Sequence, residues 1–264
     1  MSTAVKNQLR VCMLSVKYNI MREMVNKVTF LTNVGFMVLN NASILVQWFI
    51  LFRLREDVGG YTMREIMLLW GLTAASFGLS RILFARAFSM SELIIKGKLD
   101  SYLVQPKNVL ISVLTSSTNV SAIGDFLYGV ALACACRLSV GGFLLFFLFT
   151  LTGTIIFTAF ALLIGSLSFW FLRMDMLEGQ VVMGMISFGT YPDGIFSGIS
   201  RFMLYFVLPV GVAVWHPVHI IGRFDVGMLA AVLGYACLLS IVAAAVFYKG
   251  LRRYASGSLM EARM

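Results

Sequence analysis

Long apolar runs separated by short polar segments are the main pattern of this chain. A helix needs about 20 mostly apolar residues to cross a hydrocarbon core of about 30 Å. On this basis we predict six membrane-crossing helices, at 28–52, 66–84, 119–136, 143–170, 176–188 and 226–248. The pattern therefore predicts an all-α, polytopic integral membrane protein with one transmembrane domain over 28–249.

A seventh apolar run, 202–215, is short for a straight crossing and contains Pro209. Glycine and proline are dense just before it, and they break helices at membrane depth unless protein packs around them. We predict a re-entrant, broken helical hairpin over about 189–222, before the last span. Its characteristic residues are Tyr191, Pro192, Pro209 and Pro217.

Residues 1–27 show a different periodicity. Apolar side chains recur at spacings of three and four, while the basic residues lie largely on other faces; these apolar side chains are Leu9, Met13, Val16, Ile20 and Met24. Such a pattern is typical of an amphipathic helix that lies in the membrane interface. We expect this helix on the inner surface of the membrane.

Composition and charge agree with a membrane protein. Hydrophobic residues make up 59% of the chain and charged residues only 12%, which is too apolar for a single water-soluble core. Most of the 21 lysines and arginines fall in segments that face the cytoplasm if both termini, including the 250–264 tail, are cytoplasmic. We attribute the net charge of +9 to this topology and to contact with anionic membrane lipid, and we expect no nucleic-acid partner.

A polar stripe runs along the first predicted span. Asn33, Asn40 and Gln47 recur every seventh residue, which places them close to one face of a helix. Polar side chains are unfavourable against lipid, so the stripe either forms hydrogen bonds between helices or lines a translocation pathway. Asp125, in the third span, has the same two interpretations, because Gly124 and Gly129 beside it predict close helix contact.

The 85–108 segment is the strongest polar interruption of the apolar pattern. It combines charged with apolar side chains, and it looks like a cytoplasmic contact with a soluble partner. The alternative is a solvated interfacial helix. The candidate contact residues are Glu92, Leu93, Lys96, Gly97, Lys98, Leu99, Asp100 and Pro106.

The chain carries no pattern that predicts catalysis. Gly97 and Lys98 do not form a phosphate-binding loop, because Glu92 stands where the first glycine belongs and Leu99 where serine or threonine would reach magnesium. The histidines at 216 and 219 have no nearby partners that would complete a metal site. We therefore expect neither enzymatic activity, nor a metal, nor a cofactor on this chain.

The order of several short motifs resembles the ABC-2 type permeases, in particular a branch linked to viologen and multidrug export. The motif residues are Gly60, Tyr61, Thr62, Glu65, Gly97, Leu99, Asp100, Tyr102, Leu103, Pro106, Gly124, Asp125, Gly129, Phe169, Trp170, Tyr191, Pro192, Ile195, Phe196, Pro209, Pro217, Gly250, Leu251, Arg253 and Tyr254. The resemblance covers nearly the whole chain.

The resemblance implies a half-transporter in the inner or plasma membrane. Two six-span permease subunits, identical or paralogous, are expected to pair above two cytoplasmic ATPase subunits that hold ATP and magnesium. The 85–108 segment would contact the ATPase, and the pair would export an amphiphilic or drug-like substrate. An ion-coupled secondary transporter with Asp125 as the carrier is the alternative, whereas a lipid-modifying enzyme lacks the cluster of catalytic residues that it would need.

Overall fold

The computed structural model describes residues 3–171 and 174–254, and all regular elements in these residues are helical apart from a single β-bridge between Val58 and Tyr61. The first six helices are α1 (Thr3–Glu23), α2 (Lys27–Phe52), α3 (Met63–Phe84), α4 (Met90–Ile95), α5 (Asp100–Leu103) and α6 (Val109–Leu114). The others are α7 (Ala122–Ala135), α8 (Val140–Ser166), α9 (Met174–Gly189), α10 (Gly198–Phe206), α11 (His216–Gly222) and α12 (Val226–Leu251). The all-α prediction is confirmed for the described residues.

Polar residues fix where the long helices begin. The Asn26 side chain accepts a hydrogen bond from the first turn of α2, and Ser139 and Asp225 do the same for α8 and α12. At α3, Thr62 and Glu65 form a reciprocal capping box. These caps satisfy N–H groups that have no partner inside the helix, so each long apolar helix starts at a defined residue.

The helices form a layer with α3 and α8 at its centre. Helix α7 packs against α3 with α2 on its other side, and α12 packs against α8. Helices α3 and α8 are largely buried, whereas α2 and α12 are largely exposed at the margins. Helices α4, α9 and α11 also contact α8, and α9 reaches α3 as well.

Glycines allow the close contact between α3 and α7. A Cβ atom on Gly129 would collide with the carbonyl oxygen of Gly71 and with Ala75, and one on Gly78 would lie 2.6 Å from the backbone nitrogen of Phe126. Small residues at such positions let two helix backbones approach in a membrane. The close helix contact expected around Gly129 is therefore present.

Within the described residues, four helical stretches are long and apolar enough to cross a membrane: Lys27–Phe52, Met63–Ile95, Val140–Phe169 and Val226–Leu251. The predicted spans at 119–136 and 176–188 correspond to the shorter helices α7 and α9. A bent pair, Gly198–Phe206 with Gly211–Gly222, would make a fifth span if it crosses as one unit. Several apolar helices agree with a multi-pass protein, while the count of six stays a prediction.

The 189–222 region is broken, as the prolines predict. Helix α10 and the following π-helical segment Gly211–Trp215, which continues into α11, meet at 76°. Pro209 lies in the break, and Pro217 lies in the first turn of α11, where proline is tolerated. The re-entrant course of this region through the membrane stays a prediction.

Helix α1 packs against α6. The Ser15 hydroxyl donates to the Thr115 carbonyl at 2.9 Å, and Gln8 lies 3.5 Å from Ser112. Several apolar side chains on α1 are exposed, among them Met13 at 68%. The predicted membrane-surface role would use these side chains; the Leu9 side chain and residues 255–264 of the predicted tail lie outside the described part of the chain.

Candidate functional site

A cavity of about 380 Å³ lies between α2, α3, α7 and α9. Most of its wall is apolar or aromatic, with polar groups from every one of these helices. Three of the four predicted pathway residues, Asn40, Gln47 and Asp125, lie on this wall. The other lining residues are Met37, Asn41, Ile44, Trp70, Thr73, Ala74, Phe77, Met183, Ile186, Ser187, Thr190 and Tyr191. An apolar cavity with a few convergent polar groups is the usual form of a small-molecule site.

Asp125 is held by Asn41, a residue that the heptad pattern did not select. The Asn41 amide donates to Oδ1 of Asp125 at 2.6 Å and to the Met37 carbonyl at 2.9 Å. Asp125 is buried, and within the described residues its Oδ2 atom has no hydrogen-bond partner. The carboxylate can therefore accept one more donor or a proton. The sequence signal for Asn41 was the consecutive pair of asparagines inside an apolar run.

Asn33 lies apart from the other three predicted pathway residues. It lines a second, more polar pocket of about 350 Å³, together with Arg81 and the chain around Asn119. Helix α7 touches α2 between Asn33 and Asn40, because a Cβ on Gly124 would lie 2.6 Å from the Val34 carbonyl oxygen. This contact divides the polar stripe into two parts.

Arg81 stands between the two spaces. Its guanidinium carbon lies 5.6 Å from the ring centre of Phe77 and 5.4 Å from that of Phe88. Phe77 lines the cavity and Phe88 lines the second pocket. Cation–π contacts of this kind favour a fixed guanidinium, so Arg81 is held between one ring of the cavity and one ring of the pocket.

Tyr191 lines the cavity next to the end of α9. The Trp215 indole N–H donates to the Tyr191 carbonyl at 2.9 Å, and the Trp48 ring meets the Tyr191 ring edge-on at 5.7 Å. The Thr73 hydroxyl lies 3.0 Å from the Gly189 carbonyl oxygen, so α3 is joined to the end of α9 at the same level. The predicted hairpin residue Tyr191 is therefore also a cavity residue.

A polar cluster lies beside the 189–222 region, formed by Tyr61, Asp193, Arg201 and His219. The Tyr61 hydroxyl donates to Asp193 Oδ1 at 2.9 Å and lies 2.9 Å from His219 Nε2. Because that hydroxyl has one proton, the His219 Nε2 atom must carry its own and donate to it. Arg201 pairs with Asp193 Oδ2 at 2.6 Å. The cluster joins the start of α3 to α10 and α11.

The surroundings of the cluster shift two pKa values. Burial, together with the Asp193 carboxylate, raises the pKa of the Tyr61 phenol above its usual value. Burial also opposes ionisation of Asp193, but the neighbouring His219, the Tyr61 hydrogen bond and the Arg201 charge outweigh it, so the pKa of Asp193 is lowered. Asp193 is therefore an ionised centre of the cluster at neutral pH.

Residues 38–258 match a family model described as ABC-2 family transporter protein. The chain belongs to the ABC-2 transporter family. The matched residues include the cavity wall apart from Met37, the polar cluster and the 85–108 segment, so the resemblance seen in the sequence is confirmed at the level of the family. No curated protein and no solved structure matches the chain. Family membership and the apolar helices identify a multi-pass membrane component of a transporter.

In this ABC-2 family chain, the 85–108 segment is built from two short helices joined by a tight turn. Lys96, the residue just after α4, pairs with Glu92 at 2.7 Å, and Gly97 takes a positive φ of 65° that glycine adopts without strain. Glu92, Lys96, Lys98 and Pro106 are exposed. These four predicted contact residues are accessible to a partner.

Two predicted contact residues face the protein instead. Leu93 and Leu99 are 3% and 0% exposed and belong to the main core, so they anchor the segment and offer no surface to a partner. The accessible apolar surface is supplied by Leu103 and Val104, which are 42% and 83% exposed. Helices of four and six residues are too short for sequence periodicity to separate these two faces.

Asp100 lies at the inner edge of the same segment, next to the end of α12. Burial and the Asp100 carboxylate raise the pKa of the Tyr254 phenol to about 12. Tyr254 also packs edge-on against Phe169 at 6.2 Å. Asp100 therefore interacts with Tyr254, near the C-terminal end of the described chain. It is also one of the residues predicted to contact a partner.

Proposed function

We propose that this chain is the permease subunit of an ABC-type exporter, forms half of a translocation pathway and is driven by separate cytoplasmic ATPase subunits that hold ATP and magnesium. Membership of the ABC-2 family supports this proposal. The observation that carries it furthest is the cavity, whose mainly apolar wall includes Asn41 of α2, Asp125 of α7 and Thr190 just after α9.

The lining of the cavity favours an amphiphilic or drug-like substrate. Trp70, Phe77 and Tyr191 supply aromatic surface, while the amides of α2 and the Asp125 carboxylate supply a few hydrogen-bonding positions. Aromatic side chains contribute large contact areas in binding sites. A compound with an apolar body and one or two polar groups fits this chemistry.

The exposure of the polar stripe supports pairing with a second permease, identical or paralogous. Asn33, Asn40 and Gln47 are all exposed. Exposed amides at membrane depth are unfavourable against lipid, because lipid tails cannot form hydrogen bonds with them. They are stable next to protein or water. A second permease packed over α2 would supply both, with the pathway between the two subunits.

We propose the 85–108 segment as the ATPase contact, with both termini in the cytoplasm and the protein in the inner or plasma membrane. Glu92, Lys96 and Lys98 provide exposed charges of both signs next to the exposed Leu103 and Val104. Such a surface combines an apolar anchor with charges that set orientation. Replacing Glu92 and Asp100 with alanine should weaken ATPase stimulation and transport, and unchanged values in both would reject this contact.

The proposed assembly is tested by identifying the proteins that co-purify with this chain. The tagged chain is purified from its native membrane in a mild detergent, and the co-purified proteins are identified by mass spectrometry. We expect an ATPase with a phosphate-binding loop, with or without a second permease. Recovery of this chain alone, still active in transport without ATP, would contradict the proposal.

An ion-coupled secondary transporter is the second candidate, and one observation favours it. Asp125 is buried on the cavity wall with an Oδ2 atom that has no partner in the described part of the chain. A carboxylate in this position can bind a proton or a cation. This candidate predicts transport that continues without any ATPase, collapses with an uncoupler and is lost in Asp125→Asn.

A further inference from the structure

We propose that Glu178 is a positioning residue that makes the 85–108 segment and the α9 wall of the cavity move as one unit. The proposal rests on the ATPase contact described above and specifies how movement of that segment reaches the cavity. Glu178 lies on α9 and is 3% exposed. Its carboxylate accepts the backbone N–H groups of Met90 and Ser91, each at 3.2 Å.

These two N–H groups belong to the first turn of α4, where a helix has donors without partners. Ser89, the residue at the capping position, makes no side-chain capping bond. The cap is instead supplied from α9, a helix far away in sequence. We call the Glu178 carboxylate and the two N–H groups of α4 the α4–α9 clamp.

Helix α8 leaves the clamp no free space. A Cβ on Gly165 would lie 2.5 Å from Oε1 of Glu178 and 2.7 Å from Cβ of Met90. The Ser91 hydroxyl lies 3.4 Å from the Gly165 carbonyl oxygen. The carboxylate therefore sits in a closed contact between α4, α8 and α9.

Separating α4 from α9 would leave a buried carboxylate and two buried N–H groups without partners. Losing one side of such a contact is strongly unfavourable, because water does not replace the lost hydrogen bonds. The main core holds α4 from the same side through Met90, Leu93 and Ile94, which are all buried. A displacement of α4 is therefore transmitted to the start of α9.

The far half of α9 forms part of the cavity wall. Met183, Ile186 and Ser187 of α9 line the cavity, with Thr190 just after the helix, and the distance along the helix from Glu178 to Ser187 is about 14 Å. A helix of this length transmits a displacement along its axis. The clamp therefore connects the proposed ATPase contact to the residues that would touch the substrate.

Glu178→Gln tests the clamp in the intact complex. The glutamine side chain keeps the shape of glutamate but has one acceptor oxygen instead of two. Its NH₂ group would face one of the two backbone N–H groups, and two donors cannot form a hydrogen bond with each other. We expect the ATPase to co-purify in normal amounts and to retain its basal rate of ATP hydrolysis. The amount of an amphiphilic fluorescent dye transported per ATP hydrolysed should fall about tenfold. Asp175→Asn is the matched control, since Asp175 is an exposed acid in the first turn of the same helix, and transport per ATP should not change.

A second measurement needs no change at Glu178. Spin labels at Lys98 and Phe188, in a chain whose four cysteines are replaced, report the distance between the segment and the far end of α9. That distance should stay the same with and without ATP, while a control distance from Lys98 to Phe36 on α2 should change.

The outcomes separate this inference from the proposed function. If the ATPase co-purifies and Glu178→Gln transports as much per ATP as the unchanged protein, the clamp has no coupling role. A Lys98–Phe188 distance that changes with ATP would overturn it as well. If no ATPase is recovered with the unchanged chain, the proposed function itself fails.

Discussion

Asn41 and Asp125 show how one side chain can organise a polar site inside an apolar bundle. Asn41 is 4% exposed and uses its amide N–H groups on a backbone carbonyl and on Asp125. The carboxylate is thereby fixed with one oxygen in use. The neighbouring Asn40, one residue earlier, is exposed. Two adjacent asparagines thus have different environments and should respond differently to substitution.

Asn41→Ala should destabilise the protein by about 1–3 kcal/mol, because the buried Asp125 carboxylate loses its hydrogen bond. Asn40→Ala is the matched control and should change stability by less than about 0.5 kcal/mol, as expected for exposed positions. Thermal unfolding in detergent measures both. Equal effects of the two substitutions would contradict the assigned hydrogen bond.

Asp193 gives the polar cluster a defined dependence on pH. Its folded-state pKa is lowered, so its contribution to stability is present above the unfolded-state pKa of about 3.9 and is lost as pH falls through the folded-state pKa. The stability difference between the unchanged protein and Asp193→Asn should therefore persist from pH 8 to pH 6. It should shrink below about pH 4. A difference that already vanishes between pH 7 and pH 6 would contradict this assignment.

At the scale of elements, the contact between α3 and α7 depends on glycine. Gly129→Ala should destabilise the protein by about 1–3 kcal/mol, because the added methyl group collides with the Gly71 carbonyl and with Ala75. Gly234→Ala on α12 is the control, since nothing lies within 4 Å of the added atom and alanine favours a helix. If the Gly129→Ala protein is as stable as the Gly234→Ala protein, α3 and α7 do not pack as closely at Gly129 as described.

The apolar pattern predicted the long helices well and the short ones less well. The predicted spans 28–52 and 226–248 lie within α2 and α12, because each is apolar over its whole length and is bounded by polar capping residues. Helices α7 and α9 are shorter than a full span, and their environment depends on neighbours that periodicity does not reveal.

Residues that act through distant contacts could not be predicted in the same way. Tyr61, Asp193 and His219 come from three separate parts of the chain, so their hydrogen bonds exist only after folding. Glu178 is one of two acids near the start of α9, and nothing in the sequence indicates that it caps α4. The heptad pattern selected Asn40 and Gln47, which do line the cavity, but it missed Asn41.

At the scale of the whole molecule, the exposed polar stripe on α2 predicts where a second permease packs. If the partner is an identical chain, Gln47→Cys should cross-link two copies in membranes under mild oxidation. Phe49→Cys is the control, because it is also exposed but lies on the opposite side of α2. Cross-linking through Phe49→Cys with none through Gln47→Cys would place the partner on another surface.

The central claim is that ATP hydrolysed by partner subunits drives movement of a substrate through this permease. The most direct measurement follows uptake of a panel of amphiphilic fluorescent dyes into inside-out membrane vesicles that contain the complex, with ATP, without ATP and with an uncoupler. We predict uptake that requires ATP and is unaffected by the uncoupler. Uptake that proceeds without ATP and collapses with the uncoupler would contradict the account and favour ion coupling through Asp125.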